Sequence, residues 1–475
     1  MMGLFGTLNL GARALQTQSQ GMAVAGQNLA NVNNTAYSRQ RLIVQTTGTI
    51  PSAIGSQGTG VSAVAIQRIH DSLLDRQIQG ETGVSGFWTA QQNALLSAQT
   101  NLGEAINSSA QGADGTTTTG AVGAQSTLAS DLAGLFSEFQ NLAATPTSLS
   151  QRGVLLSKAQ NLASQFNQAD SRLAEVNDNL NESVTDGVGQ ASELLKSIAG
   201  LNEQIRRAES GVSGSANDLR DLRQQKIETL AGLTNLDTVE DADGQVNLSI
   251  GGNLLVSGHE VLATLEVYDA GGGQQMVRTS TGTALTLTSG SIQGNIDARD
   301  GALSTLRSGL DTLAKTLATE VNTVHRAGFN LSGGTGADFF TGASAATFKV
   351  NTALVGHPGL IQASGNPTAA GDNQIAVVLA SLANKPCAAL GGQTFAASYA
   401  RTVTSLGESL ATANAEVEDQ QLVSNMLTRQ RNAVSGVSLD EEMADLVKYQ
   451  KAFQASARII STVDEMISEV INMKR

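Results

Sequence analysis

The strongest constraint on this chain is that its two ends carry matching apolar heptads. Near the start, Leu8, Leu15, Met22 and Leu29 recur at steps of seven, and near the end Leu439, Leu446, Phe453, Ile460 and Ile467 do the same. Intermediate positions supply the four-three alternation of a coiled coil, with Ala12, Ser19 and Gly26 at one end and Met443, Gln450, Ala457, Asp464 and Ile471 at the other. Each end therefore presents one helical face that needs a partner: the other end, or another chain. Gln450 and Asp464 interrupt the second seam. They mark either a polar device that selects register or a seam shifted to use Val463.

The N-terminal heptads have no charged wet face. From Met1 to Ser38 the only charged side chain is Arg13, and the rest of the surface would be Gln, Asn, Ser, Thr, Gly and Ala. A solvated amphipathic helix normally carries charge opposite its apolar stripe. Neutral hydrogen-bonding residues suit a helix enclosed by protein, where a charge is costly to desolvate. An intramolecular helical hairpin in a monomer would satisfy the periodicity, but the missing charge favours burial among several subunits.

Length and composition narrow the classes. The 475 residues allow two to four domains, and a net charge of −13 argues against nucleic acid or an anionic membrane as partner. Aromatics are 3% of the chain, so Ala, Leu, Val and Ile must do most of the packing, which fits thin helical layers. Cys387 is the single cysteine and reads as a small buried hydrophobe; no intramolecular disulfide is available to it. Neither a cleavable secretory signal nor a run of about 20 apolar residues is visible.

Along the chain, the spacing predicts a terminal helix over residues 2–32 closed by Asn31, Asn33 and Asn34, a loop with a short strand to 69, and a helix from 70 to about 106. Helical rhythm runs through Leu155 to Leu180, resumes from Leu194 to Ile205, and returns over Asn217 to Leu233. The period then changes to two: Val246, Leu248 and Ile250, then Leu254 and Val256, with strands expected near 261–268 and 283–287. Leu303 to Val324 and Tyr399 to Val417 are helical again. Between them lie Pro358, Pro367 and Pro386 in a stretch of fading regularity.

The expected fold is mainly α with a β insertion. A terminal coiled coil (1–69 with 435–475) joins an elongated helical rod (70–235, 294–330 and 395–434). An outer β domain (236–293) and a looser Gly/Pro-containing insertion (331–394) complete it. The chain goes out and returns, so the β parts are expected furthest from the termini.

Catalytic signals are missing. His70, His259, His325 and His357 are scattered, with no metal-ligand spacing. Asp241-Ala242-Asp243-Gly244 lacks the remaining ligands of a calcium loop and reads as a hairpin turn, and Gly271-Gly272-Gly273 lacks the Lys-Ser/Thr of a phosphate loop. No enzymatic activity, cofactor or metal is expected.

Two motifs carry a resemblance. NLANVNNTAYSRQ (28–40) and SGVSLDEEMADLVKYQKAFQASARIISTV (435–463) resemble the signature ends of the hook-associated protein 1 (FlgK) family of the bacterial flagellum. Similarity extends to GVSAVAIQRIHDSLLDRQIQ (60–79) and QNLAATPTSLSQRGVLLSKAQNLASQFN (140–167). Ala36 stands where that family usually has Gly, NDLRDLRQQKIETLAGL (217–233) departs from its usual form, and 330–394 matches nothing placeable.

The resemblance implies a structural adapter between hook and filament, outside the cell, self-associated as an axial ring layer. Implied neighbours are the hook protein and a second junction protein that leads to the filament. Export would be type III without a cleaved signal, with a chaperone holding the C-terminal region. Rival readings are another axial subunit (second junction, hook or rod protein) or a secreted helical adhesin or effector.

The candidate assembly interface is Leu8, Leu15, Met22, Leu29, Asn31, Asn33, Tyr37, Arg39, Leu439, Met443, Leu446, Phe453, Ile460 and Ile467. Tyr37, Arg39 and Arg41 are expected to reach a neighbouring subunit. Burying four large seam residues offers roughly 1.5–3 kcal/mol each, whereas ordering a helix of this length costs about 1–2 kcal/mol per residue. The termini of dilute monomer are therefore expected to be cut first by protease and to exchange amide hydrogen fastest; protected termini would refute folding on assembly.

Overall fold

The computed structural model describes residues 3–51, 55–102, 128–211 and 214–473. In chain order these form α1 (Leu4–Ala30), β1 (Gln40–Thr46), β2 (Thr49–Ile50), β3 (Gln57–Gly58), β4 (Val61–Arg68), α2 (Ser72–Leu102), α3 (Leu128–Ala144) and α4 (Leu149–Ala208). Next come α5 (Asn217–Leu233) and strands β5 (Leu236–Glu240), β6 (Val246–Ile250), β7 (Asn253–Ser257), β8 (Glu260–Val261), β9 (Leu265–Asp269) and β10 (Gln275–Thr279). The chain closes with α6 (Ser291–Ala298), α7 (Ser304–Arg326), β11 (Phe340–Thr341), β12 (Lys349–Val350), α8 (Gln374–Ser381), α9 (Phe395–Ser435) and α10 (Leu439–Asn472). This is a helix-rich α+β architecture, as the sequence predicts.

α4 is the spine. It runs unbroken for 60 residues, roughly 90 Å at helical rise, through the gap that the periodicity left between Leu180 and Leu194. Ser148 caps its start, its hydroxyl accepting from the Gln151 N–H at 3.3 Å. One apolar stripe serves two cores. Leu155, Leu162, Phe166, Leu173 and Leu180 belong to the helical core with α3, α7 and α9. Val184, Val188, Leu195 and Ile198 belong to a second core with Leu248, Ile250, Leu255 and Val256 of the sheet.

The sheet is antiparallel in the order β5-β6-β7-β8, with β9-β10 as a separate hairpin. Segment 283–287, expected as a strand, joins only through the single bridge of Ala284 to Arg278. Its Leu285 and Leu287 are buried by packing, without a ladder. The sheet also departs from the expected distal position. It lies along the C-terminal half of α4, and Thr238 on β5 donates to Gln79 on α2 at 3.0 Å, which draws it toward the terminal pair.

Segment 331–394 sits at the other end of α4. Its prolines and glycines predict looseness, yet Phe339, Phe340 and Phe348 are fully buried in the helical core. Lone apolar residues without a period supply that anchoring. Polar side chains then hold the irregular backbone. Asn322 accepts from the Phe339 and Phe340 N–H groups at 2.8 and 2.9 Å, and Asn167 donates to Ala345 and Phe348 carbonyls at 2.7 and 3.1 Å. The buried Arg152 guanidinium donates to the carbonyls of Pro146 and Ile361 at 2.7 and 2.6 Å. Cys387 is buried in the same core.

His325 closes this segment. Its Nδ1–H donates to Ala337 O at 2.8 Å and its Nε2 accepts from the Gln362 N–H at 2.9 Å, so the ring is held neutral. Burial lowers its pKa to about 4. The unfolded chain therefore takes up this proton at a higher pH than the native one does. The stabilisation is complete above pH 6.5 and is lost as pH falls through the folded value, about 3 kcal/mol in all. Urea midpoints of wild type should fall between pH 7 and pH 4 by more than those of His325→Gln; parallel losses would refute this account.

Candidate functional site

The two ends meet as an antiparallel pair, α1 against α10, and the seam between them is not the one the large residues suggest. On α1 the buried positions are Gly11, Thr17, Gly21, Val24, Ala25 and Asn28. On α10 they are Glu442, Ser456 and Val463. The inner faces are made of small residues that let large ones enter. A Cβ built on Gly21 would lie 2.6 Å from the Tyr449 ring, and one on Gly11 would lie 2.8 Å from Ile460 Cγ1. Two glycine notches thus receive Tyr449 and Ile460 and bring the backbones close.

The predicted leucine seam is displaced by about one position as a result. Leu8, Leu15, Met22 and Leu29 are half-buried and flank the seam, as do Leu446, Phe453 and Ile467, whereas Ile460 enters it at Gly11. Leu439 and Met443 are exposed. Val463, at 2% exposed, takes the buried place, which explains the polar Asp464 beside it as a seam shift. The outward face of α10 keeps an unpartnered apolar stripe of Leu439, Met443, Val447, Ile459, Met466 and Val470.

At the base of the pair, residues 28–40 form a hydrogen-bonded knot around two carboxylates. Asn28 Nδ2 donates to Glu442 Oε2 at 3.0 Å and to Gln40 O at 2.9 Å, while its Oδ1 accepts from Tyr37 OH at 2.8 Å and the Gln40 N–H at 3.0 Å. That buried amide uses both its ends. Arg39 Nε donates to Glu442 Oε1 and its Nη1 to Glu441 Oε2, each at 2.7 Å, and its backbone N–H donates to Ser435 O at 2.9 Å. The start of the chain is thereby tied to the α9–α10 corner.

The second carboxylate, Asp221 on α5, accepts from Ser38 N and Oγ at 2.9 and 2.8 Å and from Arg68 Nη1 at 2.9 Å. One helical turn away, Asp218 accepts from Gln40 Nε2 at 2.9 Å. So α5 binds the loop to the rod. Burial, together with Asp218, Asp221 and Glu442, pushes the Tyr37 hydroxyl well above its usual pKa, keeping it a protonated donor. Burial opposes charge on Arg39, but Glu442 and Glu441 outweigh it and raise its pKa.

Tyr37 and Arg39, expected at a neighbour, are thus engaged inside the chain. Arg41 is exposed. Asn31 donates through Nδ2 to Gln27 O at 3.0 Å, and Asn34 Oδ1 accepts from Ala36 N at 3.1 Å, so this turn is the local cap its asparagines predict. Asn33 is exposed. Asn28, Asp218, Asp221, Arg68 and Glu442 were not singled out by sequence reasoning. The spacing of Asp218 and Asp221, which puts both on one helix face, was the available signal.

Among the described residues no group of His, Cys, Asp or Glu could hold a metal ion, and no helix is long and apolar enough to cross a membrane.

The model of the flagellar hook-associated protein FlgK helical domain matches residues 121–340, and the C-terminal model of the flagellar basal body rod FlgEFG proteins matches 429–473. Flagellar hook-associated protein 1 of Bacillus subtilis is 28% identical and aligns over 99% of both chains. The Escherichia coli protein of that name is 24% identical over 98% of this chain and 99% of its own. The flagellar hook junction protein FlgK from Burkholderia pseudomallei shares the fold, with a TM-score of 0.65 at 15% identity, covering 76% of this chain and all of that one.

The two family models and the full-length relatives are all of flagellar proteins, which is the class the fold and its terminal pair are similar to. The chain is similar along its whole length to flagellar hook-associated protein 1, and its residues 121–340 match the FlgK helical domain.

Glu442→Gln removes the charge that answers Arg39 while keeping the shape. Breaking such a buried pair costs about 3 kcal/mol. Amide exchange in α10 and residues 31–40 should accelerate at least tenfold, with the α4 core unchanged; unaltered exchange at the base would refute the knot's role.

Proposed function

We propose that this chain is a structural adapter subunit of the bacterial flagellum, joining the hook to the filament through the hook-filament junction. The observation that carries the reading is end-to-end similarity to flagellar hook-associated protein 1, through both the helical domain and the C-terminal segment. Its work is mechanical. No catalytic role is assigned.

Assembly uses the terminal pair. The small-residue seam is consumed within the chain, whereas the half-buried Leu8, Leu15, Met22 and Leu29 and the exposed Leu439 and Met443 remain available on its outside. An outward apolar stripe on a helix whose companion carries one charge in its first 38 residues favours enclosure by further copies. Asn31 and Asn33 at the base, with Leu446, Phe453 and Ile467 along α10, complete this surface, while Ile460 is taken up by the Gly11 notch. Tyr37 and Arg39 act on it indirectly, by holding α10 in position.

The partners in this reading are copies of the chain in an axial ring layer, the hook protein on one side and a second junction protein on the other. The subunit works outside the cell and leaves it by type III export without a cleaved signal. A chaperone covers the C-terminal region, whose exposed apolar stripe would otherwise self-associate. Neither nucleic acid nor membrane takes part.

Deleting the coding sequence in its host should leave hooks without filaments and shed flagellin into the medium, with filaments restored by the intact chain. Normal filaments after deletion would refute the adapter role.

A further inference from the structure

The base of the terminal pair contains a cleft with one unanswered charge. About 580 Å³ in volume, it is bounded by the 31–38 loop, by α5, by the start of α2 and by the α9–α10 corner. Its cations are already taken. Arg68 pairs with Asp221 at 2.9 Å and Arg431 with Glu228 at 2.9 Å. Asp75 lines the same cleft, and its carboxyl makes no hydrogen bond or ion pair among the described residues. Burial raises its pKa to about 6, with Arg68 and Arg431 opposing and Glu228 and Asp71 adding to the rise. His70 nearby is pushed the other way, toward neutral, by burial and by Arg68. The half-buried carboxylate has gained no donor within the chain, and the cleft has room for one more cationic side chain.

The complementary orphan is Arg13. It is the single charged side chain before Arg39, it is exposed on α1, and it makes no ion pair or hydrogen bond among the described residues. Its exposed neighbours on that helix, Ala12, Gln16, Ser19 and Gln20, are neutral. When α1 is enclosed by other copies, as the adapter reading requires, a guanidinium left there without an anion is strongly disfavoured. The acids of α10 outside the knot offer no prepared site within the chain: Asp440, Asp464, Glu465 and Glu469 are exposed, and Asp445 already faces Lys448 at 3.6 Å.

We propose that Arg13 of one copy enters the cleft of a second copy and pairs with Asp75, setting the stagger between them. The cleft begins just beyond the end of α1, and Arg13 lies 17 residues before Ala30, so the two copies are offset by roughly 25 Å along the helix. The pairing rests on the adapter reading and adds a register to it.

A double-mutant cycle with charge-neutral substitutions tests it in a host lacking its own copy. Arg13→Gln and Asp75→Asn each leave an enclosed charge unpaired, so each should lower the number of filaments per cell about tenfold. The double variant removes both charges and should lose no more than either single. Melting of purified Arg13→Gln should match wild type and that of Asp75→Asn should be no lower, since neither group bonds within the chain and the Asp75 charge is held there against burial. Singles that behave as wild type, or a double whose loss is the product of the two, would overturn the pairing. Failure of the wild-type chain to restore filaments would instead overturn the adapter reading, and the pairing with it.

Discussion

The structure depends on one buried carboxylate. Glu442 is 3% exposed, sits one turn into α10, and is answered by Arg39 and by Asn28, which belong to the other end of the sequence. A carboxylate removed from water must be paired and hydrogen-bonded to be tolerated. This requirement explains why α1, the 31–40 turn and the α9–α10 corner converge at one place. Through Ser38, Arg68 and Asp221 the same knot reaches α5, so the geometry of the terminal pair is passed to the rod.

From that joint the molecule extends along α4, whose single apolar stripe is shared between the helical core and the sheet. A continuous helix of this length couples the two bodies without a linker. A five-residue π-helical turn, Arg299–Leu303, lies where α6 runs into α7, and the Arg299 guanidinium there donates to Asn181 Oδ1 and Gln275 O at 2.7 and 2.8 Å. That side chain fastens the hairpin β9–β10 to the spine. The far end is closed by lone phenylalanines and by Asn167 and Asn322, which satisfy backbone groups that the irregular segment cannot satisfy for itself.

The terminal pair separates two functions that a heptad pattern runs together. Glycine notches at positions 11 and 21 take up Ile460 and Tyr449 and make an intimate seam with little leucine in it. The other large heptad residues are displaced to its margins, where a further helix can use them. Counting heptads finds the large residues and so finds the margins. Small residues at the true seam give no periodic hydrophobic signal, and they are recognised only once the opposing side chain is in place.

Much of the helical framework was legible because long helices announce themselves by period, and the β6–β7 strands because their period is two. The charge-free N-terminus was equally plain. The base of the site was less so: Asn28, Asp218, Asp221 and Glu442 are ordinary polar residues of helices until contacts up to 414 residues apart assemble them. The burial of Phe339, Phe340 and Phe348 and the continuity of α4 were likewise hidden, since neither depends on local pattern. By itself the sequence determined where the long periodic helices run and that both ends need a partner, because those follow from local periodicity and from the cost of burying charge. Only the tertiary structure decided which face of each helix is the seam and which carboxylate holds the knot, because both depend on the shape and charge of residues distant in the chain.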